Sequence, residues 1–123
     1  MALELEELTE RIIGAAIEVH RRLGPGFLES IYEKALEIEL VKRGLAVDRQ
    51  VPVTIYYDDQ PVGSHRLDMV VEGLVVLKLK AVKDLDQVFF ATVRSYLKAM
   101  HLKHGLLLNF NHPTLQIKRV IAN

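Results

Sequence analysis

The sequence predicts an α/β (α+β) fold, a small mixed β-sheet flanked by helices in the order ααβββαββ. Up to Gly44 the apolar residues recur every three or four positions, and from Val47 the rhythm shortens to two. A further helical stretch stands between the third and fourth strands. A helix crossing between strands favours parallel pairing, while the short turn at Glu72-Gly73 demands an antiparallel hairpin, so the sheet is mixed.

In the first helix Leu5, Leu8, Ile12, Ala16, Val19 and Leu23 form one stripe. Glu4, Glu6, Glu7 and Glu10 crowd its start and His20, Arg21 and Arg22 its end, which complements the helix dipole. Gly24-Pro25-Gly26 stops it. The second helix, about 28–43, carries Leu28, Ile31, Tyr32, Ala35, Leu36 and Ile38 as its apolar positions and Gly44 as its stop. Glu29, Glu33 and Glu37 form an acidic row at four-residue spacing. Glu33 and Glu37 are expected on a solvated face, whereas Glu29, beside the glycine loop, is placed to point back into the fold.

The first strand, 47–57, alternates apolar and polar residues, and Pro52 marks it as an edge. Asp58-Asp59-Gln60-Pro61 is a turn, the second strand covers about 62–71, and the third, about 74–82, is apolar enough to be central. Asp84 to Gln87 reads as a capping box with Asp84 as the cap. The third helix then follows, with a stripe of Val88, Phe89, Val93, Tyr96, Leu97 and Met100, and Gly105 ends it. Strands at 106–110 and 115–121 close the fold.

A chain of 123 residues, half of them hydrophobic, fits one domain with a real core. Sixteen basic residues balance sixteen acidic ones, so no overall field draws in nucleic acid and any such surface must be local. The absence of cysteine removes disulfides and thiolate chemistry. An acidic start and the lack of an apolar run near the roughly 18 residues of a membrane span point to a cytoplasmic protein with no membrane partner. His20, His65, His101, His104 and His112 do not form a ligand set, and no phosphate loop or Ser-His-Asp pattern is present. Phe89 and Phe90 are adjacent and cannot face the core equally, which points to self-association through a helix face and a homo-oligomer.

The chemistry concentrates between Arg66 and Val82. Asp68, Lys78 and Lys80 lie there within runs of Val, Leu and Met. A charge buried unpaired costs several kcal/mol, so something must neutralise them. A lone acid or lysine in a strand ordinarily faces solvent, and the pattern alone leaves that alternative open. Asp68 shares a face with Lys78 only if Glu72-Gly73-Leu74 forms a three-residue loop or the hairpin carries a bulge.

Gly26 to Tyr32, G-F-L-E-S-I-Y, matches the signature of the GxxExxY protein family, a branch of the PD-(D/E)XK nuclease superfamily. R-L-D-M-V-V-E-G is similar to that family's aspartate strand, L-K-A-V to its lysine strand, Y-L-K-A to the next helix and G-L-L-L-N-F to the strand after it. The resemblance implies Mg²⁺-dependent phosphodiester hydrolysis by Glu29, Asp68, Lys80 and an acid two residues before Lys80, with Gly26, Tyr32 and Tyr96 supporting the motifs. Carboxylates would hold the hard ion, and the ion would lower the pKa of an attacking water.

The chain departs from that pattern twice. The acid is replaced by Lys78, and where a subgroup has Q-x-x-x-Y this chain has Thr92 to Tyr96. The expectation is therefore a degenerate nuclease fold, its old site closed by ion pairs around Lys78, serving as a binding or assembly module with no cofactor. If any metal binds, Asp68 and Glu29 hold it. The alternative is an active Mg²⁺-dependent DNA nuclease that draws its missing acid from Glu72, Asp84 or Asp86, none of which is well placed.

Overall fold

In the computed structural model, which describes residues 5–122, the elements follow the expected order. They are α1 (Leu5–Leu23), α2 (Glu29–Lys42), β1 (Val47–Tyr57), β2 (Gln60–Val71), β3 (Val75–Lys80), α3 (Gln87–Met100), β4 (His104–Asn109) and β5 (Gln116–Ile121). Glu4 of the acidic first turn lies outside the described residues. The five strands form one sheet in the order β1-β2-β3-β4-β5. Every pair is antiparallel except β3 and β4, which are parallel across the α3 crossover. β1 is an edge, as Pro52 requires, and β3 is central.

Each face of the sheet has its own core. On one face Leu8, Ile12, Ala16, Tyr32, Leu36 and Leu40 of α1 and α2 cover Met69, Val71, Leu77, Leu79, Leu106 and Phe110. On the other, Val93, Tyr96 and Leu97 of α3 cover Val53, Leu67, Val70, Val76, Leu107 and Val120. Leu67 and Met69, two apart on one strand, nevertheless serve opposite cores. β2 therefore turns over between them, beside Gln50, whose φ of 53° is left-handed. The outer β1–β2 hairpin bends onto α3 at this point.

Several expectations are corrected. The β1–β2 turn is only Asp58-Asp59, with φ of 49° and 60°. That is the double left-handed geometry of a type I′ hairpin, so Gln60 and Pro61 belong to β2. Asp86, not Asp84, caps α3, its carboxylate accepting from the Val88 amide at 3.0 Å. Val88 consequently falls on the solvent side of the first turn instead of in the core stripe. His101 in the left-handed conformation ends α3, whereas Gly105 lies within β4. Phe89 and Phe90 are both half-buried against the α3-side core.

In α2 the buried apolar positions are Tyr32, Leu36 and Leu40, while Leu28, Ile31 and Ile38 are exposed. Glu33 is buried rather than solvated. It accepts from Arg49 at 2.7 Å and from Gln50 at 3.0 Å, so β1 supplies the partners that its burial requires. Glu37 is half-exposed and joins the same arginine at 3.1 Å.

Gly105 has a packing reason. A Cβ there would lie 2.9 Å from Val93 Cγ1 and 3.3 Å from the Val76 carbonyl oxygen, in a buried seam between α3 and the sheet. Gly105→Ala is expected to cost about 1–3 kcal/mol of stability through overpacking, read from the denaturant midpoint at unchanged m-value.

Candidate functional site

The β2–β3 hairpin pairs Val71 with Val75 across the three-residue loop Glu72-Gly73-Leu74, in which Glu72 and Gly73 take positive φ. This register puts Asp68 and Lys78 opposite each other, one rung beyond the last paired residues, Met69 and Leu77. Asp68 Oδ2 accepts a hydrogen bond from the Leu79 amide at 2.9 Å and lies 3.7 Å from Lys78 Nζ. Both side chains are about four-fifths buried, at 18% and 19% exposed. The ladder stops here because β2 bends away, and the aspartate takes the amide that the strand abandons.

Lys80, two residues on, shares the face of Lys78. Its ammonium stands 4.3 Å from the centroid of the Phe89 ring in the first turn of α3, a cation–π contact. Tyr96 closes the site from the middle of α3. Its hydroxyl shares a 3.0 Å hydrogen bond with His65 Nδ1, and the two rings lie 5.0 Å apart. Burial first, and then the negative charge of Asp68, hold the Tyr96 phenol above its ordinary pKa. Thr92 is not at the site in any chemical sense; its hydroxyl donates back to the Val88 carbonyl within α3.

The glycine loop is organised from below by Tyr32. Its ring stacks on Phe110 at 4.5 Å, and its hydroxyl donates to the Gly24 carbonyl at 2.6 Å and accepts from the Phe27 amide at 3.1 Å. Gly24 and Gly26, with φ of 70° and 109°, supply backbone angles that other residues adopt rarely. Glu29, one turn before Tyr32, is solvent-exposed at the start of α2. The ion pairing expected to gather Glu29, Asp68, Lys78 and Lys80 is realised only between Asp68 and Lys78. Of the candidate substitute acids, Glu72 accepts from the Ala46 amide at the far turn of the hairpin, Asp86 is spent as a helix cap, and Asp84 is exposed.

Two residues make supporting contacts that their place in the sequence did not announce. Asn109, fully buried opposite Lys80, bonds both the amide and the carbonyl of Val82 and the side chain of Gln116, fixing the chain as it leaves β3. His20, buried beside Phe110, bonds the carbonyl of His112, and His112 in turn bonds the carbonyl of Lys83. The other histidines lie apart, and among the described residues no three His, Asp or Glu side chains are grouped to hold a metal. The donor set at Asp68 does not suit Mg²⁺. It offers one carboxylate, with Oδ2 already accepting an amide, faced by an ammonium.

A folded-state pKa above the unfolded one favours the neutral phenol. The Tyr96 contribution is therefore complete below the unfolded value and is lost as pH rises through the folded one. Wild-type stability should fall above about pH 10 more steeply than that of Tyr96→Phe, in denaturant unfolding followed across the alkaline range. In spectrophotometric titration, Asp68→Asn should ionise Tyr96 at lower pH than wild type.

A family profile of the PD-(D/E)XK nuclease superfamily matches residues 6–120. No curated protein matches the chain. Among solved structures, the crystal structure of SSO0001 is similar at a TM-score of 0.61 and 14% identity, covering 76% of this chain and 49% of that one. The chain thus spans about half the length of SSO0001, and the likeness is one of fold. Among the described residues no helix is long and apolar enough to cross a membrane. With the profile covering nearly every residue and the ααβββαββ order in place, the chain belongs to the PD-(D/E)XK nuclease superfamily.

Proposed function

We propose that this chain is a PD-(D/E)XK domain of the GxxExxY type that has given up metal-dependent hydrolysis and acts as a binding or self-assembling module. The observation that carries this is Lys78 Nζ at 3.7 Å from Asp68 Oδ2, on the strand position where an acid would complete the E-x-K element. At an effective dielectric of about 20, a unit charge 4 Å from a divalent ion attracts or repels it by about 8 kcal/mol. Asp68 and Lys78 therefore cancel in the field that Mg²⁺ would feel. The positive charge of Lys80 and the solvent exposure of Glu29 leave nothing to tip the balance back. Lys78 does for Asp68 what the metal would otherwise do, and needs no ligand to do it.

Calorimetric titration with Mg²⁺ and Mn²⁺, thermal melts in both ions and a plasmid-nicking assay test this on wild type and Lys78→Glu. Wild type is expected to give no saturable heat, no metal-dependent rise in melting temperature and no nicking. Lys78→Glu places two carboxylates together, so it should be less stable than wild type without metal and be stabilised by Mn²⁺. Affinity as weak as about 1 mM, about −4 kcal/mol, is sufficient to detect. Metal-dependent nicking by wild type that Asp68→Ala abolishes overturns the proposal in favour of an active nuclease.

A further inference from the structure

β1 and β2 keep a single register from the Val47 and Val71 pair to the Ile55 and Gly63 pair, with one rung missing, where Gln50 stands opposite Asp68. Both strands turn over at that rung. Val47 packs on the side of α1 and α2 and Val51 on the side of α3, as Met69 and Leu67 do on β2. Positions an even number apart on a regular strand share a face, so the backbone must supply the half-turn. It does so at Gln50, whose φ is 53°. Among the described residues the other non-glycine residues with positive φ are Asp58, Asp59, Glu72 and His101, which stand at hairpin turns or a helix end. Gln50 alone stands inside a strand. A non-glycine residue keeps that conformation only where its surroundings hold it there.

The hold comes from α2. Glu33 is 8% exposed, and both of its carboxylate oxygens accept from Gln50 Nε2, at 3.0 and 3.2 Å. The same carboxylate takes Arg49 Nη1 at 2.7 Å, so the two residues leading through the missing rung are both fastened to one buried acid. Arg66 Nη1 donates to the Gln50 carbonyl at 3.3 Å from β2.

We infer that Glu33 is a positioning residue for Asp68. By holding Gln50 left-handed it keeps the rung to Asp68 open and turns β2 away from β3 beyond Met69. The Leu79 amide is then left to the Asp68 carboxylate, which accepts from it at 2.9 Å and faces Lys78. Were the ladder to run on in register, Leu67 would stand opposite Leu79 and the strand itself would meet that amide. Leu77 and Leu79 face α1 and α2, so Lys78 and Asp68 lie on the other face of the sheet, and Glu33 acts on them through β1. Metal binding by the wild type would leave this role intact, because Asp68 is placed in the same way with or without an ion.

Hydrogen exchange by NMR on the full chain reads the Leu79 amide against the amides of β4. Spectrophotometric titration reads Tyr96, whose phenol is held above its ordinary pKa by burial and by the charge of Asp68. In Glu33→Ala, Leu79 should exchange about tenfold faster relative to β4, and Tyr96 should ionise at lower pH as Asp68 leaves its place. Gln50→Ala, at an exposed position, should do the same, and it decides the question if Glu33→Ala does not fold. Glycine takes the left-handed conformation without an anchor, so Gln50→Gly added to Glu33→Ala should restore both readings. Packing lost at Glu33 would not be repaired in that way. Wild-type exchange and titration in Glu33→Ala overturn the proposal. A Leu79 amide that opens only in step with β4 also overturns it and assigns Glu33 to stability alone, as does a failure of Gln50→Gly to restore the site.

Discussion

The β2 strand must serve two neighbours that pull it in different directions. It pairs with β1 along nearly its whole length and with β3 over three residues only. Where it leaves β3, the amide of Leu79, a residue 1% exposed, loses the strand that would have matched it. Asp68 Oδ2 fills the vacancy at 2.9 Å. A buried amide left unmet costs about 1–3 kcal/mol, so this carboxylate has structural work wherever the hairpin bends in this way, with or without a metal. The bend also brings Leu67 over to α3 and so commits the outer hairpin to the second core.

A carboxylate fixed at such a bend needs a positive charge, and the rest of the site follows from which one it receives. A divalent ion requires further acids converging on the same point. A lysine on the next strand requires only the right register, which the three-residue Glu72-Gly73-Leu74 loop supplies. Lys78 stands 3.7 Å from Asp68, while Lys80 makes no ion pair among the described residues and its ammonium is stabilised by the ring of Phe89. Tyr96, tied to His65, is a phenol whose ionisation burial and the charge of Asp68 both oppose.

The order of elements was legible because apolar period and turn chemistry act locally. The placement of Asp68 opposite Lys78 was legible as a condition on loop length, and the loop met it. What could not be read was decided between elements. The apolar residues of α2 lie on more than one side of the helix, and only the position of the sheet determines that Tyr32, Leu36 and Leu40 face inward while Leu28, Ile31 and Ile38 do not. Glu33 looked solvated because its partners, Arg49 and Gln50, come from a strand whose approach to α2 leaves no mark in the sequence. Asp84 and Asp86 both look like caps, and one residue of helix phase separates them. Gly105 followed a helical stretch and read as its end, while its real constraint is Val93 packing above it.

Fold and chemistry are separable in this architecture because they occupy different places on the sheet. Both cores are built almost wholly of apolar side chains, and among the described residues every buried side-chain nitrogen or oxygen has a hydrogen-bond partner. The site is confined to the margin where β2 and β3 part. An ion pair with both members still in contact with water contributes about 1 kcal/mol or less, small beside two packed cores. Lys78 is therefore not explained by stability. What it contributes is a positive charge 3.7 Å from Asp68, and a charge change on one strand can alter this margin while the sheet and both cores stay as they are.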